Sequence, residues 1–167
     1  MGAIASFTTP CDNIGGIDGL HLARLDEIAT EGGPVLHMVR KDNPLFTGFG
    51  EVYFSEVAPG MVKAWKQHQR QTQLFAVPHG LMDIIVYDDR EDSRSKGKLV
   101  HVRLGRPGHY RLLRLPPRLW YGFAACGETA LLCNCADIPH DPEESEKQPQ
   151  NSPRIPFSWK DWQAGGR

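Results

Sequence analysis

From Gly50 onward the chain breaks into short segments in which apolar side chains alternate or run together, each closed by glycine, proline or acidic residues. Residues 51–57 stop at Pro59-Gly60, and residues 62–70 alternate. Residues 74–77 end at Pro78-His79-Gly80, and residues 81–87 close at Asp88-Asp89. A polar loop over 93–97 precedes residues 99–104, the turn Arg106-Pro107-Gly108, residues 110–115, and Pro116-Pro117. Residues 119–123 and 129–135 complete the series. Short strands spaced about 8–12 residues apart and separated by such turns predict an antiparallel sandwich or barrel.

The flanks read differently. Residues 1–19 are Gly-rich and aperiodic. Apolar Leu20, Leu22, Leu25 and Ile28 suggest a short helix or irregular segment, broken at Gly32-Gly33-Pro34, and residues 35–39 read as the first strand. Residues 140–151 are polar and acidic, and aromatics return at Phe157, Trp159 and Trp162. A polar excursion ending in tryptophans predicts a tail that docks back onto the domain or onto a partner subunit. The expected organisation is one domain over residues 1–167. An arm and first strand occupy 1–49, the strand-rich core 50–135 and the tail 136–167.

A length of 167 residues supports a sizeable core without staples. Lys+Arg is 19 against 20 Asp+Glu, a net charge of −1, which argues against non-specific nucleic-acid binding. No apolar run approaches the ~20 residues of a membrane span, and the start has no basic n-region, so no membrane partner and a cytoplasmic location are expected. Met1-Gly2-Ala3-Ile4-Ala5-Ser6 fits the loose myristoylation pattern, against the reading of a plain terminus. Cys133 and Cys135 form C-x-C, but Ala130-Leu131-Leu132 before them reads as a buried strand, so these thiols are expected to be small core residues.

Four stretches together carry a resemblance. They are Val62-Lys63-Ala64-Trp65-Lys66-Gln67-His68 with Gln71-Thr72-Gln73-Leu74-Phe75-Ala76-Val77-Pro78-His79-Gly80; Asp83-Ile84-Ile85-Val86 through Asp88-Asp89-Arg90, Ser93, Ser95 and Gly97; Leu115-Pro116-Pro117-Arg118-Leu119-Trp120-Tyr121-Gly122-Phe123; and Arg154-Ile155-Pro156-Phe157-Ser158-Trp159. In order and spacing they resemble the dTDP-4-dehydrorhamnose 3,5-epimerase family. The resemblance implies an all-β, cupin-type antiparallel double-sheet jelly roll that forms a homodimer. The family's general-base histidine falls on Lys66, its glutamine two residues later on His68, and its interior lysine on Gln73. The histidine of its second motif falls on Tyr121, its catalytic tyrosine on Cys133 or Asn134, and the aspartate that pairs with the base near Ser152.

Epimerisation beside a ketone removes a C–H proton, holds an enolate and returns a proton from the opposite face. It needs a base, an acid and a donor for the enolate oxygen. His68 titrates near neutrality in its ordinary state, and Lys66 serves as base only with a lowered pKa. Period-2 alternation puts Ala64, Lys66, His68 and Arg70 on one face and Lys63, Trp65 and Gln67 on the other. Two readings follow: a polar interior pocket, or a solvated face with Trp65 in the core. For the pocket, His68, Lys66 and Tyr121 are the candidate catalytic residues. Lys63, Arg70, Gln73, Arg114 and Arg118 are the candidate substrate-binding residues, with arginines suited to phosphate.

A metal cupin offers two histidines in its first motif and another in its second. Here Lys66-Gln67-His68 has one, and Tyr121 takes the second-motif position, so no metal and no cofactor are expected. The expected function is isomerisation of a nucleotide-linked 4-keto deoxysugar by proton abstraction next to the ketone. The alternative is a non-catalytic cupin that binds a sugar or nucleotide sugar.

Overall fold

The computed structural model describes residues 13–165. The myristoylation pattern and Cys11 lie outside the described residues. Twelve strands run in the order β1 (His21–Arg24), β2 (Glu27–Ile28), β3 (Val35–Leu36), β4 (Glu51–Val57), β5 (Val62–His68), β6 (Gln73–His79), β7 (Leu81–Tyr87), β8 (Leu99–Gly105), β9 (Arg111–Leu115), β10 (Trp120–Ala125), β11 (Ala130–Ala136) and β12 (Ser145–Lys147). One short helix, α1 (Trp159–Ala164), follows. Two five-stranded sheets, β1-β9-β6-β11-β4 and β12-β5-β10-β7-β8, pack face to face, and β2 and β3 form a small ribbon. Among the described residues every strand pairing is antiparallel. This is the double-sheet jelly roll.

Between the sheets lies a core that includes Phe75, Val77, Met82, Ile84, Val86, Leu104, Leu113, Leu115 and Leu132. Central strands are covered on both faces, which is why β6 and β7 read as near-continuous apolar runs. The outer face of the first sheet is covered by the amino-terminal segments, with Leu25 and Leu45 packed on Leu74, Ala76 and Leu112.

The tail covers the outer face of the other sheet. Ile155 and Trp159 pack on Trp65, Ile85 and Trp120, and Phe157 and Trp162 close the cluster. Trp159 is only 2% exposed. The tryptophan rings are therefore covered within their own chain and do not require a partner subunit to bury them.

Two flank expectations are corrected. The 20–28 segment is neither helical nor irregular: it forms β1 and β2, with β1 pairing to β9 as an edge strand. The 35–39 strand shrinks to Val35–Leu36 and is third in order, not first. The short, mixed burial of these pieces leaves little periodicity to read.

Candidate active site

The site grows from a break in strand parity on β5. Tyr121 of β10 lies opposite Lys66, yet Phe123, two residues on, lies opposite Lys63, three residues back. The extra residue is a β-bulge, and it puts Lys63 and Lys66 on the same inward side. The expected alternation with Lys63 on the outer face fails for this reason. Gly122 faces the bulge: a Cβ there would sit 2.5 Å from Ala64 Cβ and 3.0 Å from Trp159 Cζ2. Trp65 points outward into the tail cluster while Lys66 points inward, so the pocket and the tryptophan core coexist on opposite faces.

A cavity of about 320 Å³ opens between the sheets. Tyr53, Ser55, Phe75 and Leu132 line it from one sheet, and Lys63, Lys66, Tyr121, Phe123 and Lys147 from the other. Among the described residues no carboxylate lines it. Lys63 Nζ donates to Ser55 Oγ at 2.8 Å. Lys147, on β12, pairs in register with Lys66. Burial lowers the Lys66 ammonium below its ordinary value, and the neighbouring Lys147 charge lowers it further. Three ammonium groups around one hollow favour an anionic ligand.

Behind the cavity wall runs a chain of hydrogen bonds. The Tyr121 hydroxyl lies 3.2 Å from His68 Nε2, and His68 Nδ1 lies 2.5 Å from Glu144 Oε2. Glu144 Oε1 accepts from the backbone N–H groups of Arg70 and Gln71, each at 2.7 Å. An ionised carboxylate only accepts, so His68 Nδ1 carries the proton and Nε2 keeps a lone pair toward Tyr121. Burial lowers the His68 imidazolium, and the Glu144 bond offsets only part of that, so the ring is neutral near pH 7. Burial also pushes Glu144 up, but the Arg70, His68 and Gln71 hydrogen bonds outweigh it and hold the carboxyl below its ordinary value. Burial raises the Tyr121 phenol well above its usual range. Phe75 packs edge-on against the Tyr121 ring, at 5.4 Å between centroids, and fixes its position.

Glu144 was not among the expected site residues, and neither were Lys147 and Tyr53. Glu144 is delivered by a 3-10 turn over Pro142–Glu144, started by Asp141, whose side chain accepts from Glu143 N–H. β12 then zips onto β5, with Ser145 opposite His68. The carboxylate partner of the histidine thus comes from Glu144 and not from the neighbourhood of Ser152, whose hydroxyl bonds Gln148. The sequence signal for it was the Asp-Pro-Glu-Glu turn.

The structure brings His68, Lys66, Tyr121 and Lys63 to the cavity or its wall. Gln73 is 1% exposed and sits behind the lining, its amide shared between Gln71 and Asn134. The three arginines are elsewhere. Arg70 is exposed and paired with Asp141, and Arg118 with Asp92. Arg114 is on β9 and donates to the Gly19 carbonyl at 3.1 Å. Cys133 and Cys135 are buried and free, with the Cys133 thiol pushed up to about 11 by burial. Among the described residues, no three His, Cys, Asp or Glu side chains converge as a metal-ligand group.

No family model matches the chain. It is 30% identical over 146 residues to the spore coat polysaccharide biosynthesis protein SpsL of Bacillus subtilis, covering 86% of this chain and 96% of that protein. Its fold superposes on a dTDP sugar isomerase of Desulfovibrio desulfuricans with a TM-score of 0.85 at 57% identity, covering 86% of this chain and 92% of the other. A dTDP-4-dehydrorhamnose 3,5-epimerase from Elizabethkingia anophelis shares the fold with a TM-score of 0.74 at 16% identity, over 93% and 86% of the two chains. The jelly roll, the cavity between its sheets and these similarities agree: the chain belongs to the dTDP-4-dehydrorhamnose 3,5-epimerase family.

Proposed function

We propose that this chain is an isomerase of a nucleotide-linked 4-keto-6-deoxysugar, working by removal of a proton from a carbon next to the ketone. The observation that carries this reading is the Tyr121–His68–Glu144 chain set behind a cavity ringed by lysines. The likeness to a dTDP sugar isomerase at 57% identity supports it.

The diphosphate is held by Lys63, Lys66 and Lys147. The base is the Tyr121–His68 pair. As the substrate C–H bond breaks, its proton passes to the Tyr121 oxygen and the Tyr121 proton passes to His68 Nε2. The released electron pair forms the enolate C=C, and the carbonyl π pair moves to oxygen, where a lysine ammonium stabilises it. Glu144 keeps His68 in the required tautomer and balances the imidazolium charge that forms.

The chain is proposed to act in the cytoplasm as a homodimer. β4 is an edge strand of its sheet and presents Val52 and Phe54, 47% and 62% exposed, beside Phe49 at 69%, which favours pairing with a second copy. The free thiols suit a reducing compartment.

The test is incubation with dTDP-4-keto-6-deoxyglucose in deuterated water, followed by NMR. Deuterium at C3 or C5 with a new product is the expected result. Tight binding of the nucleotide sugar with no exchange and no product would establish the binding-only alternative instead.

A further inference from the structure

We infer that Tyr53 is the acid that returns the proton on the face of the sugar opposite Tyr121 and His68. This inference rests on the isomerase reading above. Inversion at carbon needs a donor across the substrate from the base. Lys63, Lys66, Tyr121 and Lys147 all enter the cavity from one sheet, and among the described residues Tyr53 is the single titratable side chain lining it from the other. It projects from β4 directly opposite Asn134 of β11. Of this pair only the Tyr53 phenol has a proton acidic enough to give up, and Tyr53 lines the cavity while the Asn134 amide bonds its hydroxyl.

The orientation of the Tyr53 hydroxyl is fixed by a run of amides that can be read in one direction only. Gln71 Nε2 donates to the Ile138 carbonyl at 2.6 Å, and a carbonyl can only accept. Gln71 Oε1 therefore accepts from Gln73 Nε2, and Gln73 Oε1 accepts from Asn134 Nδ2. The second Asn134 N–H then donates to Tyr53 Oη at 2.9 Å. Because that oxygen already accepts from Asn134, its own O–H is free to donate into the cavity. The same Asn134 N–H stabilises the phenolate left after donation. Asn134 and Gln73 are positioning residues in this account.

The step balances. The Tyr53 O–H bond breaks, the proton joins the enolate carbon, and the C=C pair becomes the new C–H bond as the ketone re-forms. Tyr53 is left as phenolate and His68 as imidazolium. Water takes the proton from the imidazolium and supplies one to the phenolate before the next turnover.

The test compares the wild-type protein with Tyr53→Phe on dTDP-4-keto-6-deoxyglucose in deuterated water, with thermal melts showing that both are folded. Tyr53→Phe should cut inverted product by about 10²–10⁴-fold. Deuterium wash-in to recovered substrate of unchanged configuration should stay within about threefold, because the base on the other face still works. Product formation within threefold of wild type would overturn the role of Tyr53. So would an equal fall of exchange and product, which would place Tyr53 in binding or folding. A wild-type protein that neither exchanges nor converts would overturn the isomerase reading itself, and this inference with it.

Discussion

His68 and Glu144 meet at 2.5 Å across 76 residues of chain, one at the end of β5 and the other on the turn that leads into β12. Neither is more than 5% exposed. Glu144 is held from three sides by hydrogen-bond donors, so the histidine is held by a group that itself cannot rotate away.

Removing either partner separates catalysis from fold. His68→Ala should lower turnover by about 10²–10⁴-fold. Glu144→Gln keeps the shape but removes the charge that balances the imidazolium, and should lower kcat with a smaller change in KM. Steady-state kinetics on the nucleotide sugar checks both.

Acid should weaken the fold in two stages. The His68 pKa is lowered in the folded state, so the unfolded chain binds a proton first, and stability falls as pH drops from about 6.5 toward the folded value. The Glu144 pKa is also lowered, so its contribution is present above about 4.3 and is lost as pH falls through the folded value. Melting temperatures across pH 3–8 (a range set by these ordinary values) should decline toward acid. His68→Gln should remove the first stage while leaving the second.

Tyr121→Phe tests the hydroxyl between the cavity and His68. The ring contacts with Phe75 are kept, and the stability cost should be about 1 kcal/mol for one lost hydrogen bond. Product formation and deuterium wash-in should fall together, by about 10²-fold or more, since both begin with the same proton removal. An unchanged exchange rate in this variant would assign the base to another group.

The lysines and the arginines give opposite expectations. Lys66→Met and Lys147→Met should weaken dTDP binding by about tenfold each, measured by calorimetry at low salt, with the loss shrinking as salt rises. Arg70→Ala and Arg118→Ala, whose guanidinium groups pair with surface aspartates outside the cavity, should stay within about twofold.

Gly122→Ala should destabilise the chain by about 1–3 kcal/mol, as overpacking does. The new methyl meets Ala64 Cβ at 2.5 Å, closer than a Cβ tolerates, and crowds Trp159 at 3.0 Å, so the β5 bulge must move and the Trp159 ring must yield slightly. Chemical denaturation monitored by tryptophan fluorescence reads this directly.

The central strands were legible because β4 to β11 are cut by Gly, Pro and Asp turns and buried in ways that leave clear apolar segments. β1 was not, since a short edge strand shows neither helical nor alternating periodicity. Strand parity and resemblance bring Lys66, His68 and Tyr121 together, and the structure sets Lys66 and Tyr121 on the cavity lining with His68 bonded behind them. Lys63 was assigned to the wrong face because a bulge adds one residue that period-2 counting cannot see. Glu144 and Lys147 were missed for a different reason. They sit in a polar tail where composition suggests solvent, and only pairing of β12 with β5 turns them inward. Tyr53 lay in a strand already recognised, but the strand alone does not reveal that Asn134 stands beside it.

The pairing of β12 with β5 also divides the site between two parts of the chain. The strands from β4 to β11 carry the cavity walls and the histidine, whereas the carboxylate behind the histidine and one of the three cations arrive with the segment after β11. A cut between β11 and β12 that released this segment would strip both groups from the site at once and leave its walls in place.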